Sequence, residues 1–167
     1  MIYEMTALQF AKMLRNLSAF LDKSASTAEA KKIDFNSLLS ARLAPDQFDL
    51  TKQIQIACDN AKIGVARLTG KTAPKHEDNE KTLPELQKRI GEVLSYLADF
   101  SEQDFKDVKT LQISLPWWEG KRLSGEVYAI HHLIPNFYFH ITTAYSILRH
   151  NLIDLGKKDY LGVMPFE

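Results

Sequence analysis

Cysteine is almost missing from this chain, with Cys58 alone among 167 residues. No intrachain disulfide can form, and metal sites built on several thiolates are excluded. The one thiol lies in an apolar-periodic run, where cysteine behaves as a small core residue. An excess of charge is missing too, since 21 Lys and Arg balance 21 Asp and Glu in short runs of mixed sign. That balance gives no electrostatic case for nucleic acid or an anionic membrane surface as partner. No stretch approaches ~18 uninterrupted apolar residues, so no membrane span is expected. MIYEMTALQF lacks the basic start and apolar core of a secretory signal, and the expectation is a cytoplasmic protein. G-x-G-x-x-G, Walker A, H-E-x-x-H, G-x-S-x-G and C-x-x-C are all absent, which removes the common nucleotide-binding and hydrolase motifs.

What the chain does have is helical periodicity, in a length that suits one domain over residues 1–167. A first helix is expected over about 7–23, with Thr6 as cap and Phe10, Met13, Leu14, Leu17 and Leu21 as its core stripe. Ser26-Thr27-Ala28-Glu29 has the capping-box pattern and predicts a separate short helix to about Ile33, with another turn or two in 34–42. Asp49 caps a second long helix, Leu50 to Thr69, with Gly70 at its end. After the polar loop 71–82, Thr82-Leu83-Pro84-Glu85 opens a third helix running to about Phe100. Twelve loop residues can span ~40 Å, more than the ~30 Å of a twenty-residue helix. The third helix can therefore restart beside the beginning of the second and run parallel to it. Leu111, Ile113 and Leu115 alternate with polar residues, and with Lys121–Leu123 they predict a small β-hairpin.

The longest apolar-periodic segment is Ser124 to Asn151, which holds four of the five histidines. Val127, Ile130, Ile134, Phe137, Ile141, Ala144 and Leu148 predict its buried face. Beside them Tyr128, His132, Asn136 and His140 recur every fourth residue, nearly in line along a helix. Pro135 predicts a kink in one long helix that ends at Arg149-His150, with Asn151 suited to the left-handed terminal conformation.

His132-x-x-x-Asn136-x-x-x-His140 followed by Leu148-Arg149 resembles the last helix of the DinB/YfiT-like superfamily. More closely, PNFYFHITTAYSILRHN with LGKKDYLG resembles a domain-of-unknown-function family within that group, with Leu152 where that family usually has glycine. The resemblance implies an all-α four-helix bundle, often a homodimer, among metal- or thiol-dependent transferases and hydrolases. With the loop argument, the expected fold is an up-down-down-up bundle with a small hairpin between helices three and four.

The superfamily's metal site takes one histidine from the second helix and an H-x-x-x-H pair from the fourth. Here His140 matches the second of that pair and Asn136 the first, while the second helix has no histidine. Asp59 or Gln55 occupies the corresponding part of the second helix. The resemblance thus leaves Asp59, Asn136 and His140 as a degenerate site for weakly bound zinc or nickel. The plain reading makes Asn136 and His140 buried polar groups that hydrogen-bond each other or Asp59. Tyr128, His132, Trp117 and Trp118 are candidate pocket residues, the tryptophans as a lip or simply a cap on the core. Two functions follow: a non-catalytic dimer that binds a small molecule or partner, and a metal- or thiol-dependent transferase or hydrolase.

Overall fold

The computed structural model describes residues 1–166. Its long helices are α1 (Gln9–Ala30), α3 (Leu50–Thr69), α4 (Leu83–Ala98) and α6 (Ile134–His150). Short helices α2 (Phe35–Leu38), α5 (Gly125–Tyr128) and α7 (Lys157–Leu161) fill the connections. Strands β1 (Gln112–Ile113) and β2 (Leu123–Ser124) pair antiparallel between α4 and α5, forming the expected hairpin in two-residue strands.

Side-chain partners fix the directions of the helices. Phe10 stacks on Phe137 and Phe20 meets Tyr145, so α1 and α6 run the same way. Gln53 meets His140, Asn60 meets Asn136 and Arg67 meets Tyr128, so α3 and α6 are antiparallel. Tyr3 reaches the Phe100 carbonyl while Gln87 bonds Ser18 and Asp22, which sets α4 against α1. Arg89 touches Gln55 and Asp59 while Lys71 lies over the Phe100 ring, so α3 and α4 are parallel. The order is up-down-down-up.

Local chemistry explains most ends. Asp49 accepts from the Lys52 amide, and Gly70 closes α3 at φ 71°. At the start of α4 the Glu85 carboxylate accepts from the Thr82 amide and hydroxyl, with proline in the first turn. The first helix differs from expectation at both ends. Thr6 lies inside a π-helical turn, Glu4–Leu8, with its hydroxyl on the Ile2 carbonyl instead of capping. The Ser26 box is unused, because Ser26 and Thr27 bond the carbonyls of Asp22 and Lys23 and α1 continues through to Ala30. Buried Ser24 and Ala28 keep that extra length attached to the core.

The last helix shows the largest change of register. Gly125 to His150 is helical throughout, but Ala129–Leu133 is a π turn in which the Ile134 amide bonds the Ala129 carbonyl. Pro135 has no amide to give, and the wider turn just before it takes up the mismatch without a break. One residue of phase is gained there. Tyr128, Ala129 and Leu133 are buried above Phe137, Ile141, Ala144 and Leu148, while Val127 and Ile130 are exposed. At the other end Asn151 keeps φ −91°, and Leu152 takes the left-handed conformation at φ 64°. Glycine adopts that conformation freely, whereas a leucine there is strained.

The loop 71–82 contains no buried residue, yet it is firmly attached. Arg89, almost fully buried, binds Asp78 at 2.6 Å, Glu80 at 3.0 Å and Asp59 at 2.7 Å, and also the Gln55 carbonyl. Lys62, equally buried, donates to Asp59, the Pro74 carbonyl and His76 Nδ1, and His76 Nε2–H in turn donates to Glu92. Burial alone would raise the carboxyl pKa values of Asp78 and Glu80, but hydrogen bonds from Arg89, with Lys52 on Asp78 and Gln55 on Glu80, hold both below their ordinary range. Arg89→Met should destabilise the protein by roughly 2–4 kcal/mol, since Glu80 is left without a cation while Asp59 and Asp78 keep only Lys62 and Lys52. Urea unfolding measures that loss, and a change under ~1 kcal/mol would show the network to be dispensable.

Candidate functional site

The polar column of the last helix meets a matching column on α3 at heptad spacing. Gln53, Asn60 and Arg67 lie on one face of α3, two turns apart, among buried apolar neighbours. Small residues allow the close approach: Ala57 and Ala61 are fully buried, and a Cβ on Gly64 would run into Leu133.

His140 is buried and its Nδ1 lies 2.7 Å from Gln53 Oε1. Gln53 Nε2 already donates to the Phe48 carbonyl, so its oxygen accepts and His140 carries its proton on Nδ1. Nε2 is then the lone-pair nitrogen. Burial pushes the imidazole down to about 4, so the ring is neutral at neutral pH. One turn away Asn136 Nδ2 donates to Asn60 Oδ1 at 3.1 Å, and the buried Asn60 Nδ2 has no partner among the described residues.

Asp59 is not part of this group. One residue along α3 from Asn60, its carboxylate faces α4 and is engaged by Arg89 and Lys62. Gln55, the alternative on that helix, donates to Glu80 on the same far side. The side chains that do meet Asn136 and His140 are amides, with no carboxylate, thiolate or second imidazole. Among the described residues no group of three or more His, Cys, Asp and Glu side chains could hold a metal. On donor chemistry, a zinc or nickel site made from Asp59, Asn136 and His140 does not fit this arrangement. Cys58 is fully buried, and burial pushes its thiol up to about 12, so no thiolate is available there.

The other candidate residues do gather. His132 stacks on Tyr128 at 5.4 Å between ring centres and meets Trp118 edge-on at 5.5 Å, and Trp118 also meets Tyr128. Arg67 Nη1 donates to the Tyr128 hydroxyl. Burial, and after it the Arg67 charge, hold the His132 pKa below the ordinary histidine value. Trp117 does not join this cluster and is mostly exposed, but with Trp118, Glu119, Lys121, Arg122 and Leu123 it lines a hollow of about 400 Å³. A turn shapes that hollow, with Glu119 at φ 52° and Gly120 at φ 82°.

The residues that sequence reasoning missed are Gln53, Asn60 and Arg67 on α3, and Arg89 on α4. For the three on α3 the signal was present as polar side chains at i, i+7 and i+14 inside an otherwise apolar stripe.

The buried neutral imidazole has a consequence for stability. Its folded pKa lies below the unfolded value of ~6.5, so its contribution is complete above that value. As the pH falls toward about 4 the unfolded chain takes the proton first and the contribution is lost. His140→Gln should therefore flatten the fall in stability between those two pH values by roughly 2–3 kcal/mol. Denaturation curves of both proteins across that window are the check, and parallel profiles would contradict the burial argument.

Comparison with known proteins agrees with this architecture. A family described as "Domain of unknown function (DUF1993)" matches residues 2–161. A crystal structure of a DinB family member protein from Shewanella denitrificans is 60% identical, with TM-score 0.97 over 100% of this chain and 95% of that one. None of the curated proteins matches. With nearly its whole length matched and a 60% identical neighbour of the same shape, the chain belongs to the DUF1993 domain family of DinB-like helical bundles.

Proposed function

We propose that the protein is a non-catalytic, homodimeric helical bundle that binds a small molecule at the end where Trp118, Tyr128 and His132 gather, with Trp117 on the adjoining hollow. The observation that carries this reading is the Trp118–Tyr128–His132 cluster beside an open hollow of about 400 Å³. That volume lies in the range of ligand pockets, which combine apolar walls with a few polar groups. The tryptophans supply flat apolar area on a hairpin whose Ile113 and Leu115 are anchored in the core. The metal- or thiol-dependent transferase or hydrolase has less support. Asn136 and His140 are engaged with amides, Asp59 with two cations, and Cys58 is enclosed in the core.

The test is a screen of aromatic fragments against isotopically labelled protein, read at the two indole N–H signals. Fragments that bind should move the Trp118 signal, and Trp118→Leu should abolish the response while leaving the fold intact. A library that moves neither indole signal would reject the pocket.

The dimer rests on apolar surface. Val127 and Ile130 on the last helix are 39% and 47% exposed, and Met5 and Leu8 on the first are 40% and 49% exposed. Both pairs lie just before the Phe10–Phe137 contact that joins the two parallel helices. Near-zero net charge leaves self-association unopposed. Sedimentation velocity should show a dimer that Ile130→Asp converts to monomer. A monomeric wild-type protein at micromolar concentration would remove this part of the proposal.

A further inference from the structure

Only two arginines of the described residues are not exposed, and they are treated oppositely. Arg89 is surrounded by three carboxylates. Arg67, partly buried at the end of α3, donates one N–H to the Tyr128 hydroxyl at 3.3 Å and has no carboxylate partner among the described residues. Next to it His132 is held between the Tyr128 and Trp118 rings, and neither of its nitrogens has a hydrogen-bond partner among the described residues. A guanidinium and an imidazole, both with hydrogen-bonding capacity left over, thus converge where three aromatic rings meet.

The chemistry of the group selects a ligand class. Guanidinium is a planar fork that matches the two oxygens of a carboxylate, and partial burial strengthens such a pair. Burial and the Arg67 charge hold His132 below the ordinary histidine value, so beside the guanidinium it offers one further N–H donor, and Lys121, Arg122 and Glu119 line the adjoining hollow. Trp118 is a wall of the neighbouring hollow as well as of this cluster, so a ring attached to the carboxylate has apolar surface to lie against.

We propose that Arg67 and His132 form an anion-recognising pair beside this hollow and take the carboxylate of a small planar monoacid whose ring lies against Trp118. The inference rests on the small-molecule reading above and adds to it the class of ligand.

Benzoate and its neutral isostere benzamide are the probes, titrated into the wild-type protein with the indole N–H signals and calorimetry as readouts. Benzoate should bind roughly tenfold or more tightly than benzamide, the margin of charge-assisted hydrogen bonds. Arg67→Met should erase that margin, Arg67→Lys should retain part of it, and His132→Phe should reduce it while keeping the stack on Tyr128. Equal binding of benzoate and benzamide, with the Trp118 signal moving, would overturn the anion site and leave the pocket standing. Silence of that signal with both compounds would remove pocket and anion site together. Inorganic phosphate binding as tightly as benzoate would overturn the planar-monoacid assignment. If Arg67→Met fails to fold, Arg67→Lys and His132→Phe carry the assignment, since Lys121 and Arg122 also line the hollow and the wild-type preference alone does not single out Arg67.

Discussion

One buried cation sets the course of the chain. The segment 71–82 contributes no buried residue, so the hydrophobic effect gives it no place to lie. Arg89 supplies that place by drawing Asp78 and Glu80 of the loop and Asp59 of α3 onto α4. Because the loop is held along its length, α4 begins beside the start of α3 and the two run parallel. Desolvating an arginine is costly, and an apolar side chain could equal it in stability. An apolar side chain could not pull a charged loop down, however. The buried Arg89 Nε is the one nitrogen of that guanidinium without a partner among the described residues. What the network specifies is topology.

A second constraint acts on the last helix. Its core face must stay in register with α3 over its full length, while Pro135 removes an amide from the ladder. The π turn at Ala129–Leu133 meets both demands by inserting one residue of phase. Above it Tyr128 and Leu133 turn inward, and Val127 and Ile130 turn out. Leu133 then presses against Gly64, where any larger residue would collide. The backbone adjustment, the small residue on α3 and the exposed apolar pair are therefore one event.

This explains what the sequence could and could not reveal. Asp49, Gly70 and the Thr82–Glu85 box are local signals, and each gives the helix end it predicts. The parallel course of α4 was legible because loop length is a global quantity that a sequence states directly. The Ser26 box misled because burial of Ser24 and Ala28 favours continuing α1 over restarting it. Val127 and Ile130 misled because a 3.6-residue period assumes an unbroken α-helix, and a π turn leaves no periodic trace. Asp59 was assigned to the wrong face because a neighbouring residue on a helix is turned by about 100°. Asn60, one position on, occupies the place expected for Asp59. At the candidate site, the column Tyr128–His132–Asn136–His140 was visible, but its partners required knowing which face of α3 it meets. The glycine expected at 152 is explained too, since the chain there is left-handed whether or not the residue suits it.

The α3–α6 seam reads as a graded series. At its first rung Gln53 and His140 fix each other's orientation, and the Phe48 carbonyl holds Gln53 in turn. At the second, Asn136 and Asn60 share one hydrogen bond and leave one buried amide donor over. At the third, Arg67 gives a single N–H to Tyr128, and His132 beside it gives none. Along the same seam, then, side-chain hydrogen bonds within the protein thin out from Gln53 and His140 toward Arg67 and His132. Arg67 and His132 are only partly buried, so solvent reaches them, and they lie where Trp118 borders the hairpin hollow. The closed rungs hold the two helices in register, and that rigidity keeps Arg67, Tyr128 and His132 in place at the open end.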